Sequence, residues 1–289
     1  MTPEARSEAL IEALPYIQQY RGQTFVIKYG GAAMEDEHIV DKFLRDVVFL
    51  EAVGINPVLV HGGGKAITQK MKAAGLAARF IDGLRVTDAT AIRIVEETLD
   101  GEINSAIVST VNEFGGSARG FSGKDVFVAR RLNRQVVQNG ETVDLGFVGE
   151  AEGVRAEGVR AAVAAEVVPV ISPIGAEPGG QVLNINADTA AAALAAELKA
   201  AKLIYVTDVP GIMRDASVRE SLIPSVTVKQ VGELIKGKII AGGMIPKVSS
   251  AVEALGKGVG KIHMVGGGIQ HCLLLEIFTN AGIGTEIVP

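Results

Sequence analysis

Lysines and glycine turns recur together along this chain. Lys28 lies in the last residues of the apolar run Thr24-Phe25-Val26-Ile27-Lys28-Tyr29, beside Gly30-Gly31. A second run, Pro57-Val58-Leu59-Val60, ends in His61-Gly62-Gly63-Gly64-Lys65 and enters an apparent helix over Ala66 to Ala74. Further on, Gly242-Gly243 stands just before Lys247. Glycine turns a chain sharply and leaves its N–H groups unscreened by a Cβ. N–H groups at the start of a helix also carry partial positive charge, so such turns suit an anion, typically a phosphate. One glycine turn is often only a turn; three glycines and a lysine favour an anion site without naming the anion. Two strand ends of this kind are more specific, because open α/β sheets bind ligands outside the carboxyl ends of their strands.

Cations and glycine amides with no dedicated base or nucleophile suit phosphoryl transfer, where catalysis is mostly positioning and charge neutralisation. An alcohol acceptor would want a base nearby. A carboxylate acceptor, with an ordinary pKa near 4, is already ionised at pH 7. It needs relief from the repulsion between two anions, which lysines on both sides supply. Asp188, facing the cleft, would hold Lys28 and Lys247 in place; as a first-turn residue beside the natural cap Asn186 it also has a sufficient structural role. Asn184 sits in a strand composition that disfavours it. Arg85, just before a cap at Thr87 or Asp88, fits a bidentate hold on a carboxylate or a pair with a neighbouring acid, and the sequence leaves the two even. The stretch Gly232 to Lys238 has the glycine and lysine spacing of a P-loop but lacks the following Ser or Thr and lies in a helical pattern, so it is rejected. There is no Gly-x-Gly-x-x-Gly after a strand, no Gly-x-Ser-x-Gly and no metal-spaced His or Cys cluster.

The elements that must position these groups are strands and helices in alternation. Thr2, Pro3, Leu10, Leu14 and Ile17 predict an amphipathic helix over 2–20, which Pro15 should kink or split. It would pack on its own domain or dock on another subunit. The apolar rows of Ile39, Phe43 and Val47 and of Val40, Leu44 and Val48 predict a helix over 35–53, between two strands; that order argues a right-handed crossover and a parallel sheet. A helical pattern runs from Ala89 to about Phe114. Residues 115–147 suggest antiparallel strands (126–131, 135–138, 141–148) that could flap over the anion edge. Strands at 167–171 and 182–188 lead to an alanine-rich helix over 189–200. A further α/β portion has strands from Leu203 and Lys261, a helix over 227–236, another after Lys247 to Leu255, and a last strand before Pro289. The fold class is α/β with a mainly parallel central sheet.

At 289 residues the chain fits one large domain or two lobes. Its 28 lysines and arginines against 33 acids, a net charge of −5, argue against a broad nucleic-acid footprint. Cys272 is the only cysteine, so the expected compartment is reducing. No run reaches the roughly 18 uncharged apolar residues of a membrane span. Glu4, Glu8 and Glu12 stand where a signal peptide would be basic and then apolar. The expectation is a soluble, cytoplasmic protein.

Lys28-Tyr-Gly-Gly, His61-Gly-Gly-Gly, Gly83-Leu-Arg-Val-Thr-Asp, Asn184-Ile-Asn-Ala-Asp, Thr207-Asp-Val-Pro-Gly and Gly242-Gly-Met-Ile-Pro-Lys247 together resemble the amino-acid kinase family. The likeness runs from about residue 10 to the C-terminus and follows the motif order of the members that phosphorylate N-acetyl-L-glutamate. It implies transfer from ATP, with Mg2+ held mainly by phosphates and water, to the side-chain carboxylate of N-acetyl-L-glutamate in arginine biosynthesis. It also implies an open αβα sandwich: an N-terminal helical arm (1–22), an acetylglutamate lobe (23–199) and an ATP lobe (200–289). By match of position, Lys28 and Lys247 would stabilise the transferring group and Asp188 would orient them. Gly63, Gly64, Arg85 and Asn184 would bind acetylglutamate, which resolves Arg85 in favour of substrate. Gly30 and Gly31 would face the phosphates, and Thr207, Asp208, Gly211 and Met244 would surround the nucleotide.

The N-terminal helix, with Ala13-Leu-Pro-Tyr16, resembles the extension of arginine-inhibited hexameric members. Tyr16, His263, Glu276 and Gly282 match their arginine site, whereas Gly266 and Gly268 stand where an Asp and an Arg are usual. The resemblance thus implies a homo-oligomer, dimer or hexamer, with L-arginine as inhibitor. The nearest alternative is a sister kinase for a carrier-linked aminoadipate or aspartate; Arg85 and Asn184 favour a free acetylated amino acid. An inactive arginine-sensing subunit is disfavoured by the joint retention of Lys28, Asp188 and Lys247.

Overall fold

Alternating side chains on the strand Thr24–Tyr29 explain the layering of the whole molecule. Phe25, Ile27 and Tyr29 are buried on one face with Phe43, Val47 and Leu50 of the helix Glu37–Ala52. Val26 is buried on the other face with Ala190, Ala191 and Leu194 of the helix Ala187–Leu198 and Val248 and Ala251 of the helix Met244–Gly256. Strands covered on both faces read as continuous apolar runs, as here. The computed structural model describes residues 2–34, 36–132, 135–138 and 141–289.

The main sheet has eight strands, in the order Ser225–Thr227, Thr285–Val288, Lys261–Gly266, Lys202–Thr207, Thr24–Tyr29, Asn56–His61, Val168–Ile171 and Ala118–Phe121. All neighbours pair in parallel except Lys261–Gly266 with Thr285–Val288. The result is an α/β sandwich with a mainly parallel sheet between helical layers. Four further strands, Phe127–Arg131, Val148–Val154, Ile174–Ala176 and Val182–Ile185, close on themselves beside it. No helix among the described residues is long and apolar enough to cross a membrane.

Several elements differ from the sequence reading. Pro15 does not split the first helix, which runs unbroken over Pro3–Tyr20. Asp36 caps the next helix by accepting from the N–H groups of His38 and Ile39, and Glu35, where that helix was expected to begin, lies outside the described residues. The 89–114 pattern is helical but not uniform: Ala91–Glu96 passes through a π-helical segment, Glu97–Asn104, into Ser105–Glu113. Over 115–147, Gln135–Gln138 pairs with Glu141–Asp144 alone, while Phe127–Arg131 joins the closed four-stranded unit. The expected flap includes 133, 134, 139 and 140, which are outside the described residues. The helix expected after Lys247 starts at Met244, so Lys247 ends its first turn. A short helix, Cys272–Ile277, was not anticipated.

Candidate functional site

Two clefts meet at the carboxyl ends of the central strands. One, of about 210 Å³, is lined by Gly62, Gly63, Gly64, Arg85, Asn184 and Asp188, and also by Lys28 and Gly31. The other, of about 220 Å³, is lined by Thr207, Asp208, Gly243, Met244 and Lys247, and again by Lys28 and Gly31. Lys28 and Gly31 are common to both, so a group passing from one cleft to the other passes them.

Strand alternation aims Lys28. Two residues after Val26, it shares Val26's face and so meets the helix that carries Asp188. Its Nζ lies 3.2 Å from Asp188 Oδ1, and both side chains are largely covered. Lys247 Nζ donates to Asp188 Oδ2 at 2.5 Å. Asp188 is free for this because Asn186 does the capping, accepting from the N–H groups of Asp188 and Thr189. Burial opposes ionisation of Asp188, but the two lysines outweigh it and hold the carboxyl below its ordinary range. Burial lowers Lys247, Asp188 pulls it back up and Lys28 pushes it down; the balance lies below a free lysine. One carboxylate thus clamps two ammonium groups across the junction.

Arg85 is buried and reaches back to the glycine turn. It donates to Gly64 O at 2.6 Å and Thr68 Oγ1 at 2.8 Å, and its guanidinium lies 4.6 Å from the Phe80 ring centre. No Asp or Glu pairs with it among the described ion pairs, so the acid-pair option has no support. Asn184 donates to Thr87 Oγ1 at 3.3 Å, and Thr87 in turn donates to Arg85 O at 2.7 Å. Thr68 and Thr87, which tie the two polar groups of this cleft together, carried no functional signal in the sequence beyond Thr87's value as a cap. Lys65 is exposed on the first turn of the helix Gly64–Ala73.

The glycines beside the lysines are closely approached by side chains. A Cβ on Gly30 would come within 2.8 Å of Lys28 Nζ. Gly31, at φ +70, has the left-handed backbone that favours glycine, and a Cβ there would press on the Asp208 carboxylate. Thr207 lines the second cleft, but its hydroxyl is engaged in its own turn with Val209 O and N–H. Gly211 lines neither cleft; it abuts Thr285 and Leu222.

The C-terminal group gathers on the far side of the sheet's last strands. His263 Nδ1 meets Glu276 Oε1 at 2.6 Å, and Glu276 Oε2 accepts from the N–H groups of Ile283 and Gly284. Burial opposes ionisation of Glu276, and His263 with those amides reverses the effect, keeping it below the ordinary carboxylate range. Gly282, at φ +62, lies against the same carboxylate. Tyr16 reaches the segment separately, donating to Asn280 Oδ1 at 2.5 Å and packing edge-on to Phe278. Sequence reasoning missed Lys202, whose Nζ lies 2.9 Å from His263 Nε2 and which burial lowers to about 8. Its place at the start of an apolar strand gave no sign of this. Gly267 fits only because it has no side chain: a Cβ would lie 2.5 Å from that of Ala33.

A parallel-sheet sandwich with two clefts joined at a clamped lysine pair defines a class of enzyme, the small-molecule kinases. The chain belongs to the amino acid kinase family, whose model matches residues 23–266. It is 50% identical over 284 residues to an acetylglutamate kinase of Akkermansia muciniphila, covering 98% of this chain and 95% of that protein. It is 46% identical to the acetylglutamate kinase of Trichormus variabilis, covering 98% and 93%. Among solved structures it superposes on an N-acetylglutamate synthase from Neisseria gonorrhoeae, complexed with coenzyme A and N-acetyl-glutamate, with a TM-score of 0.86 at 28% identity. That match covers 98% of this chain but 63% of the synthase. The fold extends to a carbamate kinase from Giardia, at a TM-score of 0.68 and 18% identity, covering 92% of this chain and 99% of that one.

Proposed function

We propose that this kinase transfers the γ-phosphoryl group of MgATP to the side-chain carboxylate of N-acetyl-L-glutamate, in arginine biosynthesis. The observation that carries the reading is the Lys28–Asp188–Lys247 clamp at the junction of the two clefts. The acetylglutamate kinase names of its near-full-length relatives support the choice of acceptor. Acetylglutamate lies in the cleft of Gly63, Gly64, Arg85 and Asn184, and the nucleotide in the cleft of Thr207, Asp208 and Met244. Arg85, a buried cation with no described acid partner, holds a substrate carboxylate bidentately. The acceptor oxygen attacks the γ-phosphorus, its bond to the β-phosphate oxygen breaks, and ADP leaves. No base is needed, since the acceptor is already ionised. Lys28 and Lys247 neutralise charge on the phosphoryl group as it passes, and Gly30 and Gly31 let backbone approach the phosphates. The Mg2+ ion would be carried mainly by the nucleotide phosphates and water.

The test is ADP formation with purified protein and a panel of acceptors. N-acetylglutamate should drive it, and aspartate, aminoadipate and carbamate should not; turnover with one of those alone would sink the assignment.

The reading extends to regulation and assembly. L-arginine binds beside His263, Glu276 and Gly282, where the ionised, buried Glu276 favours a guanidinium, and Tyr16 couples the N-terminal helix to the same segment. Leu10 and Ile11 of that helix, 68% and 67% exposed, suit burial by a second copy in a homo-oligomer. Arginine at millimolar concentration should slow turnover; a flat rate through that range, at the weak end of ordinary ligand affinities, would remove the regulatory part.

A further inference from the structure

His61 belongs to the glycine turn yet has no role in the reaction described above. It is fully buried at the end of the strand Asn56–His61. Its Nδ1 lies 2.9 Å from the carbonyl oxygen of the next residue, Gly62, and its Nε2 lies 3.3 Å from Asn104 Nδ2. The ring's tautomer follows from Asn104. That amide nitrogen also lies 2.9 Å from Val170 O, an acceptor, so the side chain is oriented with its NH2 toward both. One N–H goes to Val170 O and the other to His61 Nε2, which must therefore be bare. The proton sits on Nδ1, and Nδ1–H donates to Gly62 O. Burial pushes the imidazole pKa down to about 4, so the ring stays neutral in this arrangement at physiological pH.

The consequence lies one peptide further on. The Gly62 N–H is already taken by Tyr29 O at 2.7 Å, and the Gly62 carbonyl is held by the ring. No cis peptide bond occurs among the described residues, and across a trans peptide the C=O and the next N–H point opposite ways. Pinning the carbonyl toward the buried ring turns the Gly63 N–H away from it, on the turn whose three glycines line the acceptor cleft. The π-helical segment backs this turn from behind. It supplies Asn104 as its last residue, and Leu99 and Ile103 stand 2.6 Å and 2.7 Å from where a Gly63 Cβ would be. π segments inside helices often mark functional sites.

We infer that His61, fixed by Asn104 as the Nδ1-protonated tautomer, is a positioning residue that sets the Gly62–Gly63 peptide so that its N–H meets the transferring phosphoryl group. The inference rests on the kinase reading for its chemistry, and on the hydrogen bonds alone for its tautomer. Two measurements therefore test it separately. Nitrogen-15 NMR of the histidine-labelled full-length protein, with His61 assigned through its backbone, should show protonated Nδ1 and bare Nε2 at pH 7. An Nε2-protonated or doubly protonated ring would overturn the inference even if the kinase activity is confirmed.

The kinetic test uses His61→Leu, of similar volume with no donor, and His61→Asn, whose side-chain nitrogen occupies the Nδ1 position. Removing one oxyanion donor outright costs about 10²–10³ in kcat. Misdirecting one should cost somewhat less, so His61→Leu should lose about 10- to 100-fold in kcat with both KM values nearly unchanged. His61→Asn should recover most of that loss. Unchanged kcat in the leucine variant, or equal losses in both variants, would overturn the positioning role. Wild-type protein with no acetylglutamate-dependent turnover would instead sink the functional reading, leaving the NMR result to judge the hydrogen-bond pattern.

Discussion

Lys28→Ala is expected to lower kcat about a thousandfold or more and to leave the protein folded. The size follows from where the ammonium stands. It is shared by both clefts and lies 3.2 Å from Asp188, on the path of the proposed transfer. In phosphoryl transfer the protein contributes mainly charge and position, and a cation placed on the transferring group is worth about 10³–10⁵ in kcat. The fold should survive because Lys28 is near the end of its strand, beside the Gly30-Gly31 turn, and the apolar contacts of Phe25, Val26 and Ile27 are untouched. Steady-state kinetics with a thermal melt separates the two effects. Near-normal turnover would remove Lys28 from the mechanism.

Asp188→Asn should also lower kcat steeply, by about 10²–10³ near pH 8, and it should reshape the pH profile. The substitution does not uncap the helix Ala187–Leu198, since Asn186 provides the cap. It removes the carboxylate that pairs with both Lys28 and Lys247. Lys247 already lies below an ordinary lysine because burial and Lys28 lower it more than Asp188 raises it. Without Asp188 its pKa falls further, so it loses its proton at lower pH. The alkaline limb of the kcat profile should therefore move toward acid, and part of the lost activity should return as the pH is lowered. An alkaline limb in its wild-type position would show that Asp188 does not control the charge of Lys247.

Much of this site was legible because its chemistry depends on local patterns. A lysine at the end of a buried run, followed by two glycines, announces itself, and three glycines after a strand do the same. The helix–strand alternation and its parallel consequence were equally local. Asp188 shows where that stops. Asn186 and Asp188 are both good first-turn residues, and only the folded helix shows Asn186 alone taking the cap while Asp188 turns to the lysines. Arg85 is similar: which groups come near it depends on other elements, and the fold brings it Gly64 O, Thr68 and the Phe80 ring. The least legible parts join distant stretches. Helical periodicity does not reveal a π-helical segment, nothing near His61 points to Asn104, and Lys202 acquires His263 only when two parallel strands come into register. Gly211 likewise acquires its neighbours only in the fold, where it packs against Thr285 and Leu222.

The central claim is that a phosphoryl group passes between the clefts onto a carboxylate, and its product is an acyl phosphate. Hydroxylamine traps such a product as a hydroxamate. Incubated with MgATP, N-acetyl-L-glutamate and hydroxylamine, the wild-type protein should form the hydroxamate in proportion to ADP, and Lys28→Ala should form almost none. ADP released without hydroxamate, or no hydroxamate above a blank lacking enzyme, would contradict the account.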